Sequence, residues 1–332
     1  MKYESISGLE QPLSKLVYGT ATPALFAAAD ENASEEAVKA AYSLLDAVSA
    51  SGINTYDCAA HYGEEIMGRW MAERGNRNEC VIITKCAHPN KWRQRVTSYD
   101  ILSDIHDSLK KLRTNYIDIY MLHRDNPEVP VGVIVDTLNS LYDEGKIKVF
   151  GGSNWTHERI EAANEYAAKH RLVPFTVSSP NFGLAEQIAD PWVADAKWGP
   201  GCVTKTGAEN KAAREWYQKN NIAVFAYSSL ARGLFSGAFK SFEPEKAREI
   251  MDEPGITGYF CERNIERLRR CEELAGKKGC TVAQLALAWV LNQNMSVFAL
   301  SSPVNSEQLK INSEAVEIPL SDTEAAFLNL EI

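Results

Sequence analysis

The chain has 332 residues, of which 45% are hydrophobic and 24% charged, a composition typical of soluble globular proteins. Its net charge of −9 argues against general binding to nucleic acids or anionic membranes, although a local basic patch could still hold a phosphate-bearing cofactor. No stretch approaches the ~18 apolar residues of a spanning helix, and seven cysteines without CxxC or metal-ligand spacing predict a cytoplasmic protein with no metal site.

Short apolar runs alternate with amphipathic helical patterns along the chain. The runs predicted as strands are LVYG (16–19), INTYD (53–57), CVIITK (80–85), YIDIYML (116–122), KIKVFGG (146–152), PFTVSS (174–179), NIAVFAYS (221–228) and SVFAL (296–300). Helices are predicted at 35–52, 66–73, 101–112, 131–145, 157–170, 210–220, 281–294 and about 306–313. Eight strand–helix units is the number that closes a (β/α)8 TIM barrel, so we predict one α/β domain over residues 1–332.

Two segments interrupt this alternation. Residues 184–206 are rich in proline, glycine and tryptophan, and residues 236–258 are charged and contain proline. Each follows a predicted strand, so both are expected as extended loops on the C-terminal rim of the barrel. Loops of this length in a compact domain are usually lids or binding loops.

Four ionisable side chains fall at or just after the ends of separate apolar runs: Asp57, Tyr62, Lys85 and His123. Because the carboxyl ends of barrel strands converge on one rim, we expect these side chains to share one site. Taken singly, each has a structural explanation. These are a helix N-cap for Asp57, a half-buried ring for Tyr62, a solvated strand end for Lys85 and a structural role for His123.

Five segments at these strands extend the pattern: GINTYDCAAHYGEEIMGRWM, IITKC, YIDIYMLHRD, GKIKVFGGSNW and FAYSSLARGLFSG. In this order they resemble the aldo-keto reductases, over residues 16–312. The resemblance implies a nicotinamide-dependent enzyme that interconverts a carbonyl and an alcohol, with Asp57, Tyr62, Lys85 and His123 as its catalytic tetrad. Tyr62 would be the general acid. Lys85, paired with Asp57, would favour the phenolate, and His123 would orient the carbonyl.

The resemblance also implies where NADP(H) or NAD(H) would bind. Ser153 and Asn154 would bind the carboxamide, and Tyr227 would stack under the nicotinamide unless it only packs at the rim. There is no GxGxxG, and the further cofactor-binding candidates are Gly19, Thr20, Asp57, Ser179, Ser228, Leu230, Arg232, Gly233, Ser301, Ser302, Gln308 and Asn312. The last of these enter a short helix whose N-terminus favours phosphate. Asn305 with Gln308 equally fits a helix-capping pair.

The cofactor residues depart from the family pattern in two places. Ser179 takes a position where the family often has a glutamine for the carboxamide. Ser302 and Gln308 take the positions of the lysine or arginine that many members use on the 2′-phosphate, and Glu307 adds a repulsive charge. Gln308 and Asn312 nevertheless match a branch that binds NADP with few basic residues. Use of NADH is therefore an open alternative to NADPH.

Aromatic side chains in the rim loops are the candidates for substrate binding. Phe26, Trp92 and Trp155 are predicted to bind the substrate, and similar loops carry Trp192, Trp198 and Lys205. Several indoles around a polar centre suit a sugar, a polyol or an aromatic carbonyl. The alternative is that half of them anchor the long loop.

Two other functional classes are compatible with a barrel. A cofactor-binding regulatory protein with little turnover would have a broken tetrad, whereas all four residues are present here. A metal-dependent hydrolase or isomerase would place several histidines and carboxylates at strand ends, and only His123 is clearly placed so. Four further histidines are interpreted as structural: His61, His106, His157 and His170. His88 is interpreted as structural too, but is also a minor candidate for the pocket.

Overall fold

The computed structural model describes residues 1–192 and 201–332, and eight of its strands close into a parallel barrel. A short antiparallel hairpin comes first, formed by β1 (Tyr3–Glu4) and β2 (Leu13–Ser14). The barrel strands are β3 (Leu16–Gly19), β4 (Thr55–Asp57), β5 (Val81–Cys86), β6 (Ile117–Leu122), β7 (Ile147–Ser153), β8 (Val177–Ser179), β9 (Ala223–Ala226) and β10 (Val297–Ser301). They pair in chain order and β10 closes on β3, which confirms the predicted TIM barrel.

Helices connect the barrel strands and surround them. In chain order they are α1 (Pro23–Ala29), α2 (Glu35–Ala50), α3 (Glu64–Arg74), α4 (Ser98–Leu112), α5 (Val131–Asp143), α6 (His157–His170), α7 (Lys211–Lys219), α8 (Ala247–Ile250), α9 (Glu253–Tyr259), α10 (Glu262–Lys278), α11 (Val282–Leu291), α12 (Ser306–Glu314) and α13 (Asp322–Leu328). Within the described ranges, no helix is both long and apolar enough to cross a membrane.

The two-residue period of a strand decides which side chains enter the barrel. In β5, Ile83 belongs to the cluster that fills the barrel interior, so Lys85 shares its inward face at the end of the strand. Asp57 is the register partner of Ile83, which brings the end of β4 beside β5. In β6, Met121 is interior, and His123 continues the same face just beyond the strand. Three predicted active-site residues therefore converge at the C-terminal rim.

Apolar side chains fill the barrel below that rim. The rings of Phe225 and Phe298 stack inside it with centroids 5.0 Å apart. At the opposite end, Ile6 and Leu13 from the N-terminal hairpin join the same interior cluster. The interior is thus a packed core and not a channel, so a ligand has access from the C-terminal rim.

Several elements were not predicted from the sequence. The helices α1 and α10 and the N-terminal hairpin lie outside the predicted repeats, and the expected loop at 236–258 contains α8 and most of α9. With four residues, α8 is too short to display a helical period, and α9 includes a proline and two glycines. Of the loop at 184–206, residues 193–200 and with them Trp198 lie outside the described residues.

Candidate active site

The ammonium group of Lys85 lies at the centre of the predicted tetrad. Its Nζ donates to Asp57 Oδ1 at 2.6 Å, to the Tyr62 hydroxyl at 2.9 Å and to the carbonyl oxygen of Cys58 at 2.9 Å. These contacts use all three donors of the ammonium. Since Lys85 is only 3% exposed, its charge is stabilised by this pairing and not by water.

A tight turn after β4 brings Tyr62 back to Lys85. Ala59 and Tyr62 exchange two backbone hydrogen bonds, at 2.9 and 3.0 Å. Gly63 follows with a φ of +79°, and a Cβ there would lie 1.9 Å from Thr20 Oγ1, so only glycine fits. The Tyr62 hydroxyl consequently lies within 3.3 Å of Asp57 Oδ2, to which it donates.

Burial raises the pKa of Tyr62 well above its usual value of 10, and the nearby carboxylate of Asp57 acts in the same direction. This differs from the expectation that Lys85 would favour the phenolate. The physical reason is that the Lys85 charge is largely balanced by Asp57 at 2.6 Å, which leaves desolvation of the phenolate dominant. Tyr62 therefore holds its proton at neutral pH, as a general acid must.

His123 lies beside Tyr62, with ring centroids 6.1 Å apart. Burial lowers the pKa of His123 well below 6.5, and the positive charges of Lys85 and Arg124 add to this effect. The imidazole is therefore neutral at pH 7 and carries one N–H donor. Its Nδ1 is buried and has no hydrogen-bond partner among the described residues.

Two further histidines join His123 at the same rim. The His61 ring stacks on His123 with centroids 5.1 Å apart and an interplanar angle of 21°, and His88 lies 4.4 Å from His61 and 4.9 Å from His123. The sequence alone favours a structural role for His61, yet it lines the cavity, as does His88. Adjacency was the available signal, since His61 directly precedes Tyr62 and His88 follows Lys85 by three positions.

A cavity of about 740 Å³ contains the tetrad and most of the predicted cofactor residues, within the usual ~300–1,000 Å³ of ligand sites. The predicted cofactor residues that line it are Gly19, Asp57, Ser153, Asn154, Ser179, Tyr227, Ser228, Leu230, Arg232, Gly233, Ser301 and Ser302. Residues from distant strands thus share one concave surface with Tyr62 and Lys85.

Other predicted residues are not among those that line this cavity in the described chain. Thr20 is buried and supports Asp57, since its Oγ1 donates to the Asp57 carbonyl oxygen at 2.7 Å. The backbone N–H of Gln308 donates to Asn305 Oδ1 at 2.9 Å, which is the helix-capping alternative, and Gln308 Oε1 accepts from the Val304 N–H. Asn312 and Lys205 are both buried. Burial lowers the pKa of Lys205 to about 8.

Hydrogen bonds order the floor of the cavity around Asn154. Its Oδ1 accepts from the Tyr227 hydroxyl at 2.7 Å, and its Nδ2 donates to Ser153 Oγ at 3.2 Å. The hydroxyl of Ser179 donates instead to the carbonyl oxygen of Phe225 at 3.0 Å. The hydroxyl proton of Ser179 is therefore used by the backbone. A glutamine at this position would instead offer an amide N–H to the carboxamide of the cofactor.

The loop after β9 has an unusual backbone. Ser228, Arg232 and Gly233 all have positive φ, at 56°, 50° and 106°. Such turns can direct N–H groups to one side, where they favour an anion, although the N–H of Gly233 already donates to the Leu230 carbonyl oxygen at 3.2 Å. The Arg232 side chain is anchored from outside, with Nε donating to Asp252 Oδ1 at 3.0 Å and the guanidinium 4.7 Å from the Trp192 ring.

The predicted substrate residues are distributed between cavity and core. Phe26 and Trp192 line the cavity and are 49% and 37% exposed. Trp92 is 71% exposed and is not among the described lining residues. The structure does not bring Trp155 to the cavity. It is fully buried because its ring turns back below the rim and packs on Phe175, with centroids 5.2 Å apart.

Nearly the whole chain matches a family model described as the aldo/keto reductase family, over residues 15–329. The protein belongs to this family. Aldo-keto reductases use nicotinamide cofactors, so the chain is identified at this level as an oxidoreductase.

Three named relatives show the range within this aldo-keto reductase family. Aldo-keto reductase YhdN of Bacillus subtilis is 27% identical over 99% of this chain and 93% of its own. A putative voltage-gated potassium channel subunit beta of Schizosaccharomyces pombe is 27% identical over 80% of this chain and 76% of its own. Aryl-alcohol dehydrogenase [NADP(+)] of Phanerodontia chrysosporium is 27% identical over 88% and 75%.

The cavity walls of this aldo-keto reductase fit a phosphate-bearing cofactor. A Cβ at Gly19 would lie 2.5 Å from Ser302 Oγ, so glycine leaves room for the Ser302 hydroxyl at the cavity wall. Ser301 Oγ is buried and has no partner within the described chain, which leaves it able to donate to a ligand. Together with the positive-φ loop after β9, these groups could hold the phosphates.

Proposed function

We propose that this aldo-keto reductase interconverts a carbonyl and an alcohol by hydride transfer with NAD(P)H, and that Tyr62 is the general acid and base. The observation that carries the proposal is the 2.9 Å contact between Lys85 Nζ and the Tyr62 hydroxyl. It lies inside the same cavity as the predicted cofactor residues. A phenol, an ammonium and a neutral imidazole at one rim suit the stabilisation of a developing alkoxide.

Each residue of the tetrad has a separate role in this proposal. When bound, the reduced nicotinamide supplies the hydride. Negative charge then develops on the carbonyl oxygen, and Tyr62 transfers its proton to that oxygen. The phenolate left behind accepts a hydrogen bond from Lys85, which Asp57 holds in place at 2.6 Å. His123, being neutral, donates its N–H to orient the carbonyl.

The test is oxidation of NAD(P)H by the purified protein with a reactive aldehyde. Tyr62→Phe removes the proton donor but keeps the ring, so turnover should fall by about 10²–10⁴-fold, the usual contribution of general acid catalysis. Cofactor binding, measured by quenching of the protein's fluorescence, should change little. Tyr99→Phe is the matched control because Tyr99 is 77% exposed. Full activity of Tyr62→Phe would refute the assignment of the acid.

A cofactor-binding regulatory protein with little turnover is the alternative, and the similarity to the putative channel subunit favours it. The same experiment separates the two. The regulatory alternative predicts fluorescence quenching by the cofactor without turnover on any aldehyde, ketose or sugar alcohol. The intact hydrogen bonds among Asp57, Tyr62 and Lys85 support the enzymatic proposal instead.

NADH is proposed as a cofactor alongside NADPH. The two positions that the family resemblance assigns to the 2′-phosphate are the uncharged Ser302 and Gln308, and Glu307 adds a negative charge. Without a cationic partner, a 2′-phosphate gains little charge-assisted hydrogen bonding. Initial rates with both cofactors decide the matter, and a strong preference for NADPH would contradict the proposal. Glu307→Lys should shift the preference toward NADPH, because it replaces a repulsive charge by an attractive one.

The proposed substrate is a small carbonyl compound with an apolar face and polar groups, such as a sugar or an aromatic aldehyde. Phe26 and Trp192 supply aromatic walls, while His61, His88 and Arg124 supply polar ones. Rates across a panel of aldehydes, ketoses and sugar alcohols would identify the class. A preference for unbranched aliphatic aldehydes would contradict it, because these use neither ring stacking nor the polar wall.

A further inference from the structure

Three histidines at the cavity mouth offer a site that the proposed reaction does not need as a group. We propose that His61, His88 and His123 bind a divalent transition-metal ion such as Zn²⁺, and that the bound ion blocks the reductase site. One ligand nitrogen from each ring lies within 4.8 Å of the other two. Metal binding is independent of the proposed function, whereas the inhibition rests on it.

The spacing of the three rings suits a small ion after a modest closure. Three imidazoles around tetrahedral zinc, with Zn–N of ~2.0–2.1 Å, place their nitrogens about 3.4 Å apart. The present separations of up to 4.8 Å must therefore shrink by about 1.4 Å at most. His61 is the exposed member of the group, so rotation of its side chain can shorten its own two distances, whereas the separation between His88 and His123 depends on those two partly buried rings. The open side of the cavity leaves the fourth position to water.

Hydrogen bonding presets the tautomer of His88. Its Nδ1 lies 2.9 Å from the carbonyl oxygen of Pro89, which can only accept, so Nδ1 carries the hydrogen. In the neutral ring the lone pair then belongs to Nε2. A backbone carbonyl that holds the second nitrogen is the usual outer partner of a metal-bound histidine. In His123, the buried Nδ1 is not hydrogen-bonded to any other residue that the structure describes.

The local charges favour an exchangeable ion over a permanent one. The cations nearby oppose a metal ion. Lys85, which is balanced by Asp57 at 2.6 Å, and Arg124 both lie beside the site.

A metal ion at this position would remove His123 from its proposed role. One imidazole nitrogen would coordinate the ion, which fixes the orientation of the ring. The ring could then no longer turn its N–H to the carbonyl oxygen of the substrate. The ion would also lie close to Tyr62, whose ring centroid is 5.0 Å from that of His61. Inhibition should therefore compete with the carbonyl substrate and should be reversed by a chelator.

The direct test is titration of the untagged protein with Zn²⁺ against a chromophoric chelator, and with Co²⁺ for the visible bands of a tetrahedral complex. We expect one ion per chain, with affinity reduced at least about tenfold in His88→Ala and in His61→Asn. His106→Ala is the matched control, since His106 is exposed on the outer helix α4. Circular dichroism checks that each variant is folded, and the exposed His61 makes its variant the safer of the two.

Two outcomes would overturn the site: no stoichiometric binding, or equal affinity in the His61, His88 and His106 variants. Binding through the partly exposed Cys202, Cys261 or Cys280 would give that second result. Stoichiometric binding that leaves carbonyl reduction unaffected would overturn the inhibition alone. Metal binding is measured without a carbonyl substrate. The affinity for the ion can therefore be determined whether or not the protein reduces carbonyl compounds.

Discussion

Replacement of Lys85 by methionine should destabilise the protein strongly. The substitution keeps the length of the side chain but leaves the carboxylate of Asp57, which is 4% exposed, without its 2.6 Å partner. Removal of one member of a buried ion pair usually costs about 3–5 kcal/mol, because the other charge stays desolvated. Urea unfolding followed by circular dichroism measures this loss. Reduction of an aldehyde should be lost at the same time, since the Tyr62 phenolate would lose its hydrogen-bond donor.

Two further variants test whether the lost stability comes from the ion pair between Lys85 and Asp57. Adding Asp57→Asn to Lys85→Met removes the stranded charge and should recover part of the lost stability. Lys277→Met is the control, since Lys277 Nζ contacts Glu273 at 2.7 Å and both side chains are exposed. It should cost at most about 1 kcal/mol, as exposed pairs do. An unfolding free energy for Lys85→Met equal to that of the control would show that Lys85 and Asp57 do not form a stabilising buried ion pair.

Three other results should follow from the structure. Because the pKa of Tyr62 is raised above 10, the rate of carbonyl reduction should vary little between about pH 6 and 9. The rate of alcohol oxidation, which needs the phenolate, should rise with pH over the same range, and a fall in that rate would contradict the assignment. Trp155→Ala should lower the free energy of unfolding by about 3–5 kcal/mol, because Trp155 is fully buried, and the exposed Trp92→Ala by less than about 0.5 kcal/mol. Thermal unfolding measures both, and equal losses would show that the assigned burial is wrong. Gly19→Ala should weaken cofactor binding in fluorescence titrations, because its Cβ would lie 2.5 Å from Ser302 Oγ, and unchanged affinity would remove this contact from the site.

The barrel and the convergence of Asp57, Lys85 and His123 could be predicted because both follow from periodicity. Strand residues alternate faces, and a closed parallel barrel sends the ends of its strands to one rim. The same logic does not extend past the strand ends. Trp155 lies only two residues beyond β7, yet its ring turns back into the space beside Gly152, where a Cβ would lie 2.5 Å from the indole.

Properties set by the surroundings of a residue were also beyond the sequence. The raised pKa of Tyr62 depends on how completely Asp57 balances the charge of Lys85, and this is set by the 2.6 Å distance between Lys85 Nζ and Asp57 Oδ1. The grouping of His61 and His88 with His123 depends on two loop conformations with no periodic pattern. Short helices such as α8 carry too few residues to show a period at all.

We propose that Tyr62 provides the proton when hydride leaves the nicotinamide. The most direct measurement uses NADPH deuterated at the transferring position, with deuterium on the carbinol carbon of the product detected by NMR. The wild-type protein should transfer deuterium to an aldehyde, and Tyr62→Phe should lose about 10²–10⁴-fold of this rate while its cofactor quenching remains. Transfer by Tyr62→Phe at the wild-type rate would show that Tyr62 is not the proton donor.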